Sequence, residues 1–197
     1  MSCRLPRLAC LIALALPMSS AFADDTAHRQ HGPHVHGEAR LNVGIDGALL
    51  LVSLDAPGMS LLGYEHPPRD DAERSAYGDT VAALNAPDGW LVLPPAAGCT
   101  LDAATVQAHG FDTANTHDDG SDPVAHGHEH EHGSHEHADF DASYRYTCHA
   151  PLALHAFEVK LIERFPALHK INVELVLPDR QGSQVLMPGR TTVLLSK

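Results

Sequence analysis

The chain has 197 residues and is acidic, with 25 Asp and Glu against 13 Lys and Arg, and its formal net charge is −12 at pH 7 with its 16 histidines counted as neutral. This balance argues against binding to nucleic acid or to an anionic membrane surface, and it favours cations as ligands. Hydrophobic residues make up 44% of the chain, which is enough for the core of one domain or of two small ones.

The first 23 residues have the pattern of a secretory signal peptide. Two arginines are followed by an apolar run at 8–16 that is too short to cross a bilayer, and small residues precede a predicted cleavage site after Ala23. Cleavage leaves 11 basic and 25 acidic residues, so the formal charge of the mature chain is −14. We expect no membrane insertion after the signal is removed. The predicted organisation is a signal peptide at 1–23, a disordered lead-in at 24–33 and one domain at 34–197.

Residues 39–58 predict a β-hairpin. Leu41, Val43 and Ile45 alternate with polar or small residues, as expected of a strand that buries one face. The Asp-Gly pair at 46–47 favours a tight turn before a second apolar run.

Residues 67–87 predict a helix. Asp70 can cap its first turn and Glu73 can reach back to the cap, although Gly78 lowers the helix propensity. A short strand is predicted at 89–95, whereas 99–108 fits neither a helical nor a strand pattern.

The second half of the chain predicts further strands. Alternating apolar residues, among them Phe157, Val159 and Leu161, predict strands at 141–150, 155–165, 169–182 and 191–197. The fold class is therefore strand-rich α+β, with a mainly antiparallel sheet, one or two helices and a long disordered insertion at about 110–138.

Two cysteines remain in the mature chain, Cys99 and Cys148, because Cys3 and Cys10 lie in the signal. In an exported protein such a pair predicts one disulfide. A pair of metal thiolates is the alternative, although the two do not form a CxxC motif. A disulfide here would bracket the whole insertion.

Residues 125–140 (AHGHEHEHGSHEHADF) are rich in histidine. Because no aliphatic side chain larger than alanine occurs before Phe140, the stretch cannot build a core. Neutral imidazole is a good ligand for zinc, copper and nickel, so the stretch predicts metal binding, with a plain polar linker as the alternative. The predicted ligands are His126, His128, His130, His132, His135 and His137.

A second candidate site lies at the start of the first strand. His34 and His36 are two residues apart, so a strand would direct both imidazoles to the same side, and Glu65 or His66 could complete a zinc site. Such a site should be tighter than sites in the insertion, because its backbone is already ordered. His149, His155 and His169 are interpreted as ordinary histidines.

The segment 34–43 can be aligned with 135–144. His34 matches His135, His36 matches His137, and Glu38 matches Asp139. The alignment is consistent with a duplicated β unit, and chance similarity is the alternative.

The order of these segments resembles the ZrgA-type proteins, which are zinc-regulated periplasmic proteins with a His-rich loop. The similarity covers nearly all of 34–197, including HVHGEARLNV, GYEHPP, HEHADFDASYRYTC and FPALHKINVELVLPDRQG. It implies that His34, His36 and the histidines from His126 to His137 bind zinc as cargo, in support of high-affinity import by an ABC transporter. The solute-binding protein of that transporter is the implied partner.

The expected function is therefore zinc capture or buffering without catalysis. Sequestration of copper, nickel or zinc for metal resistance is one alternative, since imidazole ligands do not by themselves distinguish these metals. A zinc metallohydrolase is the other, but the His-x-His at 34–36 is not followed by the Asp-His of the metallo-β-lactamase pattern, and the chain has no GxSxG motif.

Overall fold

The computed structural model describes residues 35–111 and 138–196, which belong to one compact unit that starts at Pro33. The signal peptide, the lead-in, His34 and most of the predicted insertion lie outside the described residues. Within these two ranges the elements are, in chain order, β1 (Glu38–Asp46), β2 (Leu49–Pro57), α1 (Gly58–Leu61), α2 (Asp71–Asn85), β3 (Leu91–Val92), β4 (Cys99–His109), β5 (Asp139–Cys148), β6 (Ala156–Val159), α3 (Leu161–Arg164), β7 (Lys170–Leu177), β8 (Arg180–Leu186) and β9 (Thr192–Leu194).

Six strands form the main sheet, in the order β4-β5-β2-β1-β7-β8. Every neighbouring pair is antiparallel except β1 and β7, which run parallel. The predicted hairpin is the β1–β2 pair, and Gly47 adopts the positive φ of 57° that its tight turn requires. The strand-rich α+β fold with a mainly antiparallel sheet is thus confirmed.

The two faces of this sheet differ in polarity because inward and outward residues alternate along each strand. On β5 the inward residues Phe140, Ala142, Tyr144, Tyr146 and Cys148 are almost completely buried. The opposite face, called the outward face below, carries their polar neighbours on β5 together with polar residues of β1, β2 and β7. The inward face therefore supplies the core, and the outward face is available for polar chemistry.

The long helix α2 closes the core beside β4. Asp70 caps it as predicted, since its side chain accepts a hydrogen bond from Glu73 N at 2.8 Å. At its other end, Tyr144 Oη donates to Leu84 O at 2.8 Å. Burial raises the pKa of Tyr144 far above its ordinary value, and it raises that of Tyr146 to about 12. Both tyrosines therefore remain neutral members of the core.

Three short strands form a second sheet, in the order β3-β6-β9, whose buried side belongs to the same core. The structure differs from the sequence prediction in two strands, one in this sheet and one, β8, in the main sheet. The strand around Phe157 ends at Val159, because Lys160 leaves the extended conformation and Leu161 begins the single-turn helix α3. The strand β8 was not predicted at all.

Within the described ranges, none of the helices has the length and apolar composition needed to cross a membrane.

The disulfide between Cys99 and Cys148 is present and joins the first residue of β4 to the last residue of β5. The alternative of a thiolate metal site therefore does not hold. Residues 99–109, which had no clear pattern, form the edge strand β4. One extra residue in β4, Asp102, shifts the pairing with β5 by one position and forms a β-bulge.

Replacing both cysteines with serine is expected to lower the free energy of unfolding by about 4 kcal/mol, because the bond closes a loop with a sequence separation of 49. Urea unfolding followed by circular dichroism measures this loss. Addition of a thiol reductant should destabilise the natural protein and leave the double variant unchanged. Equal stability of the natural protein and the double variant in the absence of reductant would contradict the prediction.

Candidate metal centre

The chain enters and leaves the insertion at one end of the main sheet. Gly110 lies against Ala138, since a Cβ atom on Gly110 would be 2.9 Å from Ala138 Cα. Gly58 N donates a hydrogen bond to Ala138 O at 2.7 Å, which ties this point to the end of β2. The two ends of the insertion are therefore held side by side, and we call this region the root end of the sheet.

Three metal-ligating side chains meet on the outward face at the root end. His109 is the last residue of β4, Asp139 is its Cα partner at the start of β5, and Asp141 follows two residues later on the same face. One potential ligand atom from each lies within 4.8 Å of the other two. His109 Nε2 and Asp141 Oδ2 are 3.6 Å apart. One imidazole and two carboxylates can together hold a divalent cation.

The carboxylates next to this cluster face basic side chains. Asp55, the Cα partner of Asp141 on β2, lies 3.7 Å from Arg40 Nη1. Glu38 accepts hydrogen bonds from Lys170 and Asn172, and these bonds hold the pKa of Glu38 below its ordinary value. Glu38 therefore stays ionised, and its negative charge is matched by an adjacent cation.

A second grouping contains the predicted residues His36 and Glu65. His36 Nε2 lies 3.6 Å from Glu65 Oε1, and the Glu65 side chain is only 13% exposed. His66 is directed elsewhere. Its Nδ1 is 3.0 Å from Pro67 O and 3.9 Å from Glu73 Oε2, and its ring stacks on Tyr64. The structure thus brings His36 and Glu65 together and turns the ring of His66 towards the start of α2.

The remaining predicted ligands lie outside the described residues, namely His34, His126, His128, His130, His132, His135 and His137. The structure describes six histidines, and four of them lie at the root end, namely His36, His66, His109 and His169. The ring of His169 packs on Gly37, between His36 and Glu38. His149 packs beside Gly98 at the opposite end of β4.

The sequence reasoning did not select His109, Asp139 and Asp141 as ligands. His109 lies directly before the predicted insertion at about 110–138, and Asp139 enters the sequence analysis only through the internal alignment. A usable signal was the disulfide, because pairing Cys99 with Cys148 implies a hairpin that brings residue 109 close to residues 138 and 139.

Comparison with known proteins gives one family. The model of the ZrgA family, described as a zinc uptake protein, matches residues 33–195. No curated protein sequence matches the chain at a significant level.

The contact between Gly37 and His169 generates a prediction about this region. A Cβ atom on Gly37 would lie 1.9 Å from the imidazole of His169, and Gly37 has φ +79°. Gly63 has a similar φ of +84°, with open space around its missing Cβ, so it is a matched control. Gly63→Ala should cost about 1–2 kcal/mol of folding free energy from backbone strain. Gly37→Ala should cost about 1–3 kcal/mol more, because the imidazole must move.

Urea unfolding of the metal-free variants measures both losses. Equal losses would contradict the prediction, because they would mean that the His169 ring moves aside at no cost.

Proposed function

The chain belongs to the ZrgA family of zinc uptake proteins, and on this premise we propose that it is a periplasmic protein that captures or buffers zinc and supports its import by an ABC transporter. One observation carries the proposal. Two groups of imidazoles and carboxylates, His109 with Asp139 and Asp141 and His36 with Glu65, lie at the root end, where the His-rich insertion leaves and rejoins the sheet. Metal collected by the insertion would therefore be released close to ordered ligands.

Two features support a periplasmic location. The first 23 residues have a signal-peptide pattern, and the structure contains a disulfide of the kind that persists in oxidising compartments.

We assign different roles to the two kinds of ligand. The six histidines of the insertion collect zinc, and each bound ion must also order backbone at about 1–2 kcal/mol per fixed residue. Ligands in the ordered part of the chain, such as His36 in the turn before β1 and Glu65 between α1 and α2, avoid most of that cost. A site built by His34, His36 and Glu65, with His66 as an additional candidate ligand, therefore binds more tightly than sites within the insertion.

In this proposal zinc is cargo and the protein is not an enzyme. The partner is the solute-binding protein of the transporter, which receives zinc from the loaded protein. Sequestration for metal resistance is the competing function, and it predicts the opposite physiology.

A bacterium from which this protein has been deleted is expected to grow poorly when a chelator limits zinc, because scarce zinc is no longer captured in the periplasm. Added zinc or a plasmid-borne copy of the full chain should restore growth. Growth curves across a chelator series, with parallel series of excess zinc and copper, measure this. Normal growth under zinc limitation combined with sensitivity to excess metal would support sequestration instead.

Zinc bound to the purified mature protein at pH 7.5 is expected to be released as the pH falls from about 6.5 to 5. Imidazole binds metal only when neutral and has an ordinary pKa of about 6.5, so protons compete with zinc on acidification. Equilibrium dialysis with metal analysis measures the loss, and return to pH 7.5 should restore the zinc content. Full retention at pH 5 would contradict imidazole ligation.

A further inference from the structure

We propose that His109, Asp139 and Asp141 form a preorganised site for a single zinc ion, separate from any site within the His-rich insertion. The inference rests on the proposed zinc-capture function and identifies a set of ligands for it.

The spacing of the three side chains is close to that of a zinc site. Four ligands at 2.0–2.2 Å from a tetrahedral zinc ion lie about 3.3–3.6 Å from one another. His109 Nε2 and Asp141 Oδ2 are 3.6 Å apart in the structure, and no pair of ligand atoms in the group exceeds 4.8 Å. Side-chain rotations that shorten the longer separations by about 1 Å would complete the set.

Charge favours a divalent cation at this position. Asp139 and Asp141 lie on the same face of one strand, and Asp139 is only 6% exposed. Two neighbouring carboxylates repel each other, and the repulsion grows as water is excluded. The two positive charges of a zinc ion neutralise the two ionised carboxylates.

The strands hold the three ligands in place before metal arrives. His109 and Asp139 are Cα partners in the β4–β5 ladder, and Asp141 is the Cα partner of Asp55 in the β5–β2 ladder. Binding at this position therefore orders side chains but little backbone, whereas binding within a polar loop must order both. We expect this site to fill before the sites in the insertion, and also before a site at His36, because His36 precedes the first residue of β1.

The composition of the site suits an ion that must later leave. Three protein ligands leave one tetrahedral position for water or for a ligand from a receiving protein. The side chain of His109 is 52% exposed, so that position is reachable from solvent. Two carboxylates with one imidazole favour divalent ions such as Zn²⁺ over Cu⁺, which prefers thiolate and thioether ligands.

The test uses the full mature protein and zinc alone as the probe. Zinc affinity is measured by competition with a chromophoric chelator for the natural protein and for two variants with altered ligands, His109→Ala and Asp141→Asn. His155→Ala and Asp179→Asn are matched controls, because both residues are exposed and lie outside the cluster. The first equivalent of zinc should bind at least about 100-fold more weakly to each ligand variant, since even supporting residues of metal sites contribute 10- to 100-fold. The controls should stay within about twofold of the natural protein.

X-ray absorption of the protein loaded with one equivalent of zinc gives an independent readout. We expect one imidazole and otherwise oxygen ligands, whereas sites built from the insertion would show two or more imidazoles. Circular dichroism melting confirms that all four variants are folded.

Two results would overturn the assignment: ligand variants that bind the first zinc as tightly as the controls do, or two or more imidazoles on that ion. A natural protein that binds no zinc would instead overturn the proposed function, so the two failures are distinguishable.

Discussion

The register between β4 and β5 is the constraint on which the core, the disulfide and the candidate metal centre all depend. The Cys99–Cys148 bond fixes one end of the ladder, and the bulge at Asp102 then shifts it by one residue. Because successive side chains in a strand point to opposite faces, a shift of one residue exchanges the two faces. With the bulge, His109 pairs with Asp139. Without it, His109 would pair with Ala138, and the imidazole and the carboxylate would point to opposite sides of the sheet.

This register lets one strand serve stability and chemistry with alternate residues. On β5 the inward side chains pack against α2 and the second sheet, while Asp139 and Asp141 face outward. The disulfide lies at one end of the β4–β5 pair and the candidate centre at the other, about 30 Å apart along β5. The covalent bond that stabilises the hairpin is therefore far from the ligands, and changes at the ligands need not disturb it.

Much of the fold could be predicted from the sequence because the relevant signals are local. The alternation around Tyr144, the Asp-Gly turn at 46–47 and the Asp70 cap each correspond to a feature of the structure. Strand β4 gave no such signal, because its inward positions include small residues such as Ala104 and Ala108, which carry little hydrophobic contrast. It is ordered mainly by pairing with β5, which is a tertiary effect that single-sequence patterns do not contain.

The candidate site was predictable only in part for the same reason. The motif GYEHPP contains Glu65 and His66, so the sequence alone shows both as candidate partners for His36. The grouping of His109 with Asp139 depends on the position of a single bulge residue, and Asp102 carries no pattern that marks it in advance.

The side-by-side placement of Gly110 and Ala138 has an evolutionary consequence. Since the sheet already holds the two ends of the insertion together, residues can be gained or lost between them without altering any strand. Loop-closure entropy grows only slowly with length, by about 0.6 kcal/mol for each doubling. Selection could therefore lengthen or shorten the histidine tract to match the zinc supply of a habitat, while the ligands on the strands evolve under separate pressure.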